Sequence, residues 1–426
     1  MKDTMIIGLT GRFGSGCTET SKFFHNTKGM EYFSISALLK EKAKKKVKDF
    51  DKKQPNKKRM ILQDLGDELR KKNPENPETV APIVEEICKR KPKKAVIECF
   101  RNPHEIETFQ RKFKKHFVLL SIDASHDKRW DRLKDLFKHK DEFGEIEKRD
   151  AGDTKNLHGQ QVKKCMEMAD ISVNAEEDFF DCDGTKNGKI IDSYAQRLSD
   201  FYDLIENSES RPPYPNEAYM HQACSVALQS RCSKRQVGAV IVRDTYSFKK
   251  ELDKEKLKGA IGYVIATGCN NVPYEDEDCK KKYPEKCYRA KIKKEFLENN
   301  IYCRKCGHKL EKNSKLCVDC GFKNEVFPGK LLSVCRAVHA EEAAIIQAAR
   351  LGSTSLHGTK LYTSAFPCML CCKKIIASGI IQVVYLEAYP MEESLAIDMF
   401  KTNNVDLKKY EGVTTKSFHR FFKRNL

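Results

Sequence analysis

Two short motifs in the second half of the chain constrain its fold more strongly than any other feature. The first is His339-Ala-Glu341, and the second is Pro367-Cys368-Met-Leu-Cys371. One imidazole and two thiolates suit a zinc ion, so the fold has to bring both motifs to a single point. Cysteines at i and i+3 face one metal when they open a helix, and the partial positive charge of a helix start favours thiolates. The sequence therefore predicts a helix, a strand and a second helix arranged around one metal ion.

Three protein ligands leave zinc one open position for water, which is the coordination of catalytic zinc sites. Glu341 follows His339 by two residues, so its carboxylate can lie beside the metal and transfer the water's proton to a substrate. Cys335 or Cys372 could instead supply a fourth ligand, and a closed structural site is therefore the alternative. That alternative explains neither the spacing of His339 and Glu341 nor the proline before Cys368.

The overall composition limits which cellular compartment and which binding partners we expect for the protein. No run of about 18 apolar residues could cross a bilayer, and the N-terminus lacks the apolar region of a signal peptide, so we expect a cytoplasmic protein without a membrane partner. In a reducing compartment its 18 cysteines indicate metal binding rather than disulfides. The net charge of +18 suits nucleotides or nucleic acid, although lysine runs such as 40–46 are typical of solvated helix faces.

Two cysteine pairs in a charged insert at residues 275–330 predict a second zinc site. The four thiols are those of Cys303, Cys306, Cys317 and Cys320. Each pair has the C-x-x-C spacing and is followed by a glycine that permits a tight turn, so together they predict a zinc ribbon with a closed, structural metal. Cys279 and Cys287 either bind a third metal with Cys335 or remain free thiols, and their spacing does not decide between these alternatives.

Alternating strand and helix patterns predict two α/β domains. We place an N-terminal doubly wound domain at residues 1–208, a proline-rich linker at 209–216 and a C-terminal domain at 217–426 that contains the 275–330 insert. The strands expected in the N-terminal domain lie at 4–9, 95–99, 117–122 and 170–173. Its expected helices lie at 57–71, 81–90, 103–113 and 159–168. The helices expected in the C-terminal domain lie at 217–231, 336–350, 368–378 and 391–401, with strands at 236–242, 261–267, 359–363 and 381–386.

The loop after the first strand has the glycine spacing of a phosphate-binding P-loop. Its candidate phosphate-binding residues are Gly11, Gly14, Gly16 and Thr18. Cys17 stands where the motif needs lysine, so the cation that assists phosphoryl transfer is lost, while backbone amides and the helix N-terminus can still bind phosphate. Glu98 is either the acidic partner of Mg²⁺ or a surface carboxylate. We expect this domain to bind a nucleoside triphosphate with Mg²⁺ as a sensor rather than to act as a kinase, and a purely structural relic is the alternative.

Several motifs together resemble a known family. The HxE and PCxxC pair is the signature of zinc nucleobase deaminases. With Gln236-Val-Gly-Ala239 and Gly268-Cys-Asn270, it resembles the deoxycytidylate deaminase branch of the cytidine deaminase superfamily. The P-loop and the segments 63–70, 100–103 and 169–171 extend the likeness through the N-terminal half. A nucleotide-kinase-like domain fused to such a deaminase is similar to the bacterial anti-phage dCTP deaminases.

The resemblance implies a cytidine-deaminase-like three-layer α/β/α domain with a zinc-ribbon insert, one catalytic and one structural Zn²⁺, and a homo-oligomer. It implies hydrolytic deamination of dCTP and dCMP, which would deplete the dCTP that a phage needs. It also implies that Asn270 contacts the sugar and that Lys234 and Arg235 meet the phosphates, whereas a turn residue and two solvent-exposed cations are the alternatives. Ala343 replaces an asparagine that related deaminases carry, so any contact of that asparagine is lost or supplied elsewhere.

Three other functions fit parts of the sequence. An RNA- or DNA-editing deaminase would use the positive charge, but it needs an aromatic-rich channel, and the single tryptophan, Trp130, lies outside the C-terminal half. A dCMP deaminase of ordinary pyrimidine metabolism would use the same zinc site. A catalytically dead zinc regulator would have no need for Glu341. A free deoxycytidine nucleotide is the favoured substrate, and nucleic acid is the less favoured partner.

Overall fold

A computed structural model gives the structure of the chain. It describes residues 4–137, 139–152, 156–176, 185–186, 189–190, 194–243, 262–273, 277–285, 287–299, 306, 308–309, 316–321, 335–352, 355–387 and 393–422. The chain divides into two compact units, one formed by Met1–Glu217 with Glu411–Leu426 and the other by Ala218–Tyr410. Within the described part of the chain, no helix is long and apolar enough to span a bilayer.

The first unit is a sheet with helices on both faces. Its strands are β1 Met5–Gly11, β2 Glu31–Ser34, β3 Lys94–Phe100, β4 Phe117–Asp123 and β5 Ile171–Asn174, with a small hairpin of β6 Thr185–Lys186 and β7 Lys189–Ile190. Its helices are α1 Cys17–Lys28, α2 Ile35–Lys46, α3 Pro55–Lys72, α4 Ala81–Arg90, α5 Pro103–Phe113, α6 His126–Leu133, α7 Lys140–Ala151, α8 Val162–Glu167 and α9 Tyr194–Glu206. The four predicted strands and the four predicted helices are all present, with ends that differ by a few residues.

The strands β5, β4, β1, β3 and β2 lie side by side in parallel, in that order. Successive side chains of a strand point to opposite faces, and in β1 Ile6 joins one apolar core while Ile7 joins the other. Both faces are thus buried, which explains why these strands are continuous apolar runs in the sequence. The predicted doubly wound arrangement is confirmed.

The second unit contains α10 Pro215–Ala227, β8 Gly238–Arg243, β9 Tyr263–Cys269, α11 Cys279–Lys282, α12 Tyr288–Asn299, α13 Ala340–Leu351, β10 Lys360–Ala365, α14 Met369–Ala377, β11 Gln382–Glu387, α15 Glu393–Thr402 and β12 Asp406–Lys409. Its strand order is β12-β11-β10-β8-β9, with β8 antiparallel to both of its neighbours. Residues of α10 pack with Val240 and Val242 on one face, while α13, α14 and α15 pack with Ala239 and Ile241 on the other. This is the expected three-layer α/β/α arrangement.

The end of the chain differs from the predicted boundary. Strand β13 Gly412–Val413 pairs antiparallel with β5, and α16 Phe418–Phe421 follows it, so the segment from Glu411 onward belongs to the first unit and not to the predicted 217–426 domain. The Thr414 hydroxyl donates to the Ala169 carbonyl over 2.9 Å, and the Ser417 hydroxyl donates to the Asp170 carboxylate over 2.5 Å. A two-residue strand has no periodicity from which this pairing could be predicted.

Candidate active site and metal centres

The two zinc motifs meet at the starts of neighbouring helices on one face of the second sheet. His339 is the N-cap residue of α13 and Cys368 is the N-cap residue of α14. The His339 Nδ1 atom lies 3.3 Å from the Cys368 Sγ and 3.4 Å from the Cys371 Sγ. Helix α13 begins at Ala340 and not at the predicted residue 336, so the histidine precedes the helix that positions it. The predicted convergence of the three ligands is present.

The three side chains fit one open zinc site. Their ligand atoms all lie within 4.8 Å of one another, close enough for a single ion to contact all three. Cys335 does not belong to this group, and the Cys372 Sγ points toward the Ala396 carbonyl at 3.8 Å in the apolar core. Among the described residues, the cluster therefore offers three ligands, a set that would leave a bound zinc one position for water.

Glu341 lies beside the cluster and is not part of it. Its side chain is only 4% exposed, and its Oε2 atom lies 3.5 Å from the Cys371 Sγ. Burial raises the pKa of this carboxyl to about 7. A group whose pKa is close to the working pH exchanges protons most efficiently, which suits a proton shuttle.

Of the three ligands, only Cys368 is in the protonation state that zinc requires, because its hydrogen bond with Cys371 raises the pKa of the Cys371 thiol far above its usual range. The neighbouring Cys371 thiol and the His339 ring lower the pKa of Cys368 to about 4, so this sulfur is a thiolate. Hydrogen bonds with the sulfur atoms of Cys335 and Cys368 raise the pKa of His339 to about 10. A metal ion would take the place of the imidazole proton, because metal ligands bind in their deprotonated forms.

The cluster opens into a cavity of about 340 Å³. His339, Glu341 and Cys368 form part of its wall, which also includes the aromatic residue Phe366. The basic side chains on the wall are those of Lys234, Arg235 and Arg289. The size falls within the range of about 300–1,000 Å³ that holds small ligands, and the cations favour an anionic one.

Residues 213–387 match the profile of the family described as "Cytidine and deoxycytidylate deaminase zinc-binding region". The matched region contains His339, Glu341, Cys368 and Cys371, so this part of the chain is similar to the zinc-binding region of that family. The deoxycytidylate deaminase of Schizosaccharomyces pombe is 28% identical over 210 residues, which are 49% of this chain and 47% of that protein. The deoxycytidylate deaminase of Enterobacteria phage T4 is 28% identical over 189 residues, which are 43% of this chain and 82% of that protein.

The chain thus spans less than half the length of the two fungal deoxycytidylate deaminases that it matches. The crystal structure of the dCMP deaminase of cyanophage S-TIM5 with dCMP and dUMP is 21% identical. The structural match covers 46% of the present chain and 95% of the cyanophage protein, with a TM-score of 0.27.

Asn270 of the second unit lies on the cavity wall, but its side-chain amide also binds the backbone. Its Oδ1 accepts from the Val237 amide over 2.7 Å, and its Nδ2 donates to the Arg235 carbonyl over 2.8 Å. These two hydrogen bonds of Asn270 hold the backbone segment that contains Lys234 and Arg235 in place at the cavity wall. One Nδ2 hydrogen is left for the predicted sugar contact.

The two basic side chains that are predicted to contact the phosphates have different surroundings. Arg235 forms an ion pair with Glu387, whereas Lys234 is exposed to solvent. Arg289, which the sequence analysis did not single out, lines the same cavity. Arg289 lies in the 275–330 insert, so no motif spacing connects it to the zinc ligands.

A close contact holds the helix that carries Glu341 against the sheet. A Cβ on Gly268 of β9 would lie 2.4 Å from both the Ala340 carbonyl oxygen and the Ala344 amide nitrogen. These are backbone atoms of α13, so they cannot move unless the helix moves too. The glycine of the Gly268-Cys-Asn270 motif therefore has a packing role.

We expect Gly268→Ala to destabilise the protein by about 1–3 kcal/mol or more, because the added methyl overpacks this contact. It should also lower deamination, since α13 would be displaced together with Glu341. Thermal denaturation and turnover measure the two effects. Gly144→Ala is the control, because a Cβ at Gly144 of α7 meets no atom within 4 Å. Equal melting temperatures for the two variants would contradict the account.

A second group of thiols is found in the insert. The Sγ atoms of Cys306 and Cys317 are 3.5 Å apart, and Cys320 completes a set whose ligand atoms lie within 4.8 Å of one another. The fourth predicted ligand, Cys303, lies outside the described residues. Cys279 and Cys287 belong to neither of the metal-binding groups found among the described residues.

Cys317→Ser is expected to remove one zinc per chain, because Cys317 is a buried member of this set. Mass spectrometry of the metal content measures the loss. Val318→Ser is the control, since this neighbouring side chain is 75% exposed. The assignment would be contradicted if Cys317→Ser retained the zinc content of the unmodified chain.

In the first unit, the predicted P-loop connects β1 to α1. Gly14 and Gly16 have φ angles of 83° and 103°, a conformation that residues with a Cβ rarely adopt. A Cβ on Gly11 would lie 2.2 Å from the Ile122 carbonyl oxygen. The Thr18 hydroxyl donates to the Glu98 carboxylate over 2.6 Å. The fold thus favours glycine at these three positions, while the phosphate-binding role of the loop and its ligand remain predictions.

Proposed function

We propose that the second unit hydrolytically deaminates free deoxycytidine nucleotides, dCMP and dCTP, to the corresponding uracil nucleotides. The observation that supports this most is the convergence of His339, Cys368 and Cys371 on one point beside the buried Glu341. The deaminase family profile covers this whole cluster. The names of the curated relatives supply the substrate class, since both describe deaminases of deoxycytidylate.

When bound by His339, Cys368 and Cys371, zinc would acidify a water molecule and so supply a nucleophile near neutral pH. The Glu341 carboxylate accepts the proton of this water as its oxygen attacks C4 of cytosine, and it delivers the proton to the ring nitrogen N3. A second proton passes through the same carboxylate to the departing amino group, which leaves as ammonia. One water is consumed, and one uracil nucleotide and one ammonia are formed.

The shape and charge of the cavity favour a free nucleotide over a polynucleotide. A volume of about 340 Å³ suits one nucleotide, and Lys234, Arg235 and Arg289 provide positive charge for its phosphates. Phe366 is an aromatic residue of the cavity wall, and a base can pack against aromatic rings. A polynucleotide would need a longer basic groove with several stacking platforms.

The proposal extends to the biological role. Removing dCTP would starve a replicating phage of a precursor, and the fusion with a P-loop domain resembles the bacterial anti-phage dCTP deaminases. A dCMP deaminase of ordinary pyrimidine metabolism is the alternative role, and it would act on the monophosphate without lowering dCTP during infection. An editing deaminase, which the charge of +18 favours, would instead act on cytosine within a polynucleotide.

A substrate panel tests the proposal. Purified protein is incubated separately with dCMP, dCTP, deoxycytidine and a cytosine-bearing single-stranded oligonucleotide, and the products are resolved by chromatography. Conversion of dCMP or dCTP supports the proposal, whereas conversion of the oligonucleotide alone would replace it with editing. A second experiment separates a defence role from ordinary pyrimidine metabolism. Cellular dCTP is measured after phage infection in cells that carry the unmodified chain and in cells that carry Glu341→Ala. A fall in dCTP that occurs only with the unmodified chain supports the defence role.

A further inference from the structure

Two cysteines from distant parts of the chain meet beside the sheet of the first unit. Cys17 is the first residue of α1, and Cys99 is the last residue but one of β3. Their thiols are joined by a hydrogen bond, and both cysteines are free. The residues next to them are also bonded to each other, because the Thr18 hydroxyl donates to the Glu98 carboxylate over 2.6 Å. The two sulfur atoms are therefore neighbours in the folded chain.

An extra residue in β3 brings Cys99 to the face of the sheet that carries Cys17. Gly8 pairs with Ile97, but two residues farther along β1 the partner lies three residues farther along β3, which is a β-bulge. Cys99 has a φ of 73°, a conformation that is rare for a residue with a Cβ.

The bulge decides which core receives the Cys99 side chain. Regular alternation along β3 would place Cys99 in the same apolar core as Ile97, two residues earlier. Cys99 instead packs in the other core, which also contains Cys17. A bulge can re-aim a side chain in this way, and strained backbone is often found at functional sites. The strained residue is thus the one that meets the second thiol.

A fixed cation contacts the sulfur of Cys99. The Arg101 Nη2 atom donates to the Cys99 Sγ over 3.1 Å, and the Arg101 Nη1 atom donates to the two carboxylate oxygens of Asp150 over 2.6 and 2.8 Å. A neighbouring guanidinium favours the thiolate, which is the reactive form of cysteine. The Glu98 carboxylate opposes this effect, but its charge is shared with three hydroxyl groups that donate to it. Cys99 is therefore the nucleophile of the pair, and Cys17 is the thiol beside it.

Small molecules have a route to this pair. Cys17 and Cys99 are only 5% and 9% exposed, but both line a cavity of about 1170 Å³ in the first unit. Cys165 of the same unit is fully buried and is not part of the wall of this cavity. The proposed deamination does not use this cavity, so an inference about its cysteines stands apart from that reaction.

We propose that Cys17 and Cys99 form a redox-active pair that hydrogen peroxide converts reversibly into a disulfide. The Cys99 thiolate attacks one oxygen of the peroxide, the O–O bond breaks, and hydroxide leaves and takes up a proton to form water, so that Cys99 becomes a sulfenic acid. The Cys17 sulfur then attacks the sulfur of the sulfenic acid, an S–S bond forms, and the hydroxyl group leaves as water with the proton of the Cys17 thiol.

The two steps balance as the oxidation of two thiols. The pair loses two electrons and two protons in forming one disulfide, and one hydrogen peroxide is reduced to two waters. A thiol reductant reverses the change by thiol–disulfide exchange. Disulfides of this kind in a reducing compartment are typically transient and redox-sensing.

Disulfide mapping of the full-length, zinc-loaded protein tests the proposal. The protein is titrated with hydrogen peroxide, the remaining thiols are alkylated, and the chain is digested with trypsin without a reductant. Cleavage after lysine and arginine places Cys17 in the peptide 13–22 and Cys99 in the peptide 95–101. We expect these two peptides to become linked at peroxide concentrations that release no zinc to a colorimetric chelator, and we expect dithiothreitol to separate them.

Two variants distinguish the nucleophile from its partner. In Cys17→Ser the sulfenic acid at Cys99 lacks the thiol that would consume it, so it should persist and be trapped by dimedone. In Cys99→Ser no dimedone adduct should form at Cys17. Cys165→Ser is the matched control, because it replaces another buried cysteine of the same unit, and the linked peptides should form as in the unmodified chain.

Three results would overturn the proposal. The first is that the two peptides of the unmodified chain become linked only after zinc is lost, or not at all. The second is that either peptide becomes linked equally to the peptide that contains Cys165. The third is that Cys17→Ser forms no dimedone adduct at Cys99. The first two are measured on chains that retain both cysteines, so they decide the question even if a serine variant folds poorly.

Discussion

Glu341→Gln is expected to lower kcat for dCMP deamination by roughly 10²- to 10⁴-fold while the chain keeps its zinc. The amide has nearly the shape of the carboxylate but cannot accept and release the protons of the reaction. Because Glu341 lies beside the metal ligands and is not one of them, zinc content should not fall. Ammonia release and metal content, measured on the same preparation, give both numbers.

Glu342→Gln is the matched control for this variant. Glu342 is the next residue of α13, its carboxylate pairs with Lys374, and it does not belong to the metal-ligand group. The change in charge and size is identical, so a loss common to both variants would show that the helix, and not the proton shuttle, had been disturbed. Full activity of Glu341→Gln would refute the assigned role of Glu341.

Cys371→Ser is expected to remove one zinc per chain and to reduce deamination to the level of the zinc-free protein. Its Sγ lies 3.4 Å from the His339 Nδ1 and is almost fully buried, so loss of the thiolate leaves a two-ligand site. A water nucleophile is then no longer generated near neutral pH. Metal analysis by mass spectrometry and a dCMP assay measure the two losses.

Cys372→Ala is the matched control for Cys371→Ser. It tests whether zinc is lost because a ligand is removed or because any buried cysteine of this helix is replaced. Cys372 is the adjacent residue and is also buried, but its Sγ faces the core near Ala396. We expect Cys372→Ala to retain its zinc, with a moderate loss of stability at most. If both variants lost the same zinc, the ligand assignment would be wrong.

The zinc cluster could be predicted from sequence because its chemistry is local to two short motifs. His339 and Glu341 lie at one helix start, and Cys368 and Cys371 lie at another, so the spacing within each motif fixes which side chains converge. The burial of Glu341 was not predicted and is visible only in the structure, where alanines of the same helix pack against the sheet. The structure added that Cys372 faces the core, which removes one candidate for a fourth ligand.

Features that depend on the path of the chain could not be predicted. Arg289 reaches the deaminase cavity from the insert, and β13 returns to the first unit through two residues with no detectable periodicity. The pair formed by Cys17 and Cys99 joins side chains far apart in sequence, and each alone is an ordinary cysteine. The bulge that brings Cys99 to the core of Cys17 is visible only once the surrounding atoms are placed.

The most direct test of hydrolytic deamination is mass spectrometry of the product formed from dCMP and dCTP in water enriched with ¹⁸O. The account predicts that the zinc-loaded protein forms a uracil nucleotide that carries one ¹⁸O at C4, with one ammonia released per product. If the fully zinc-loaded protein formed no uracil product from either nucleotide, the proposed function of the second unit would be contradicted.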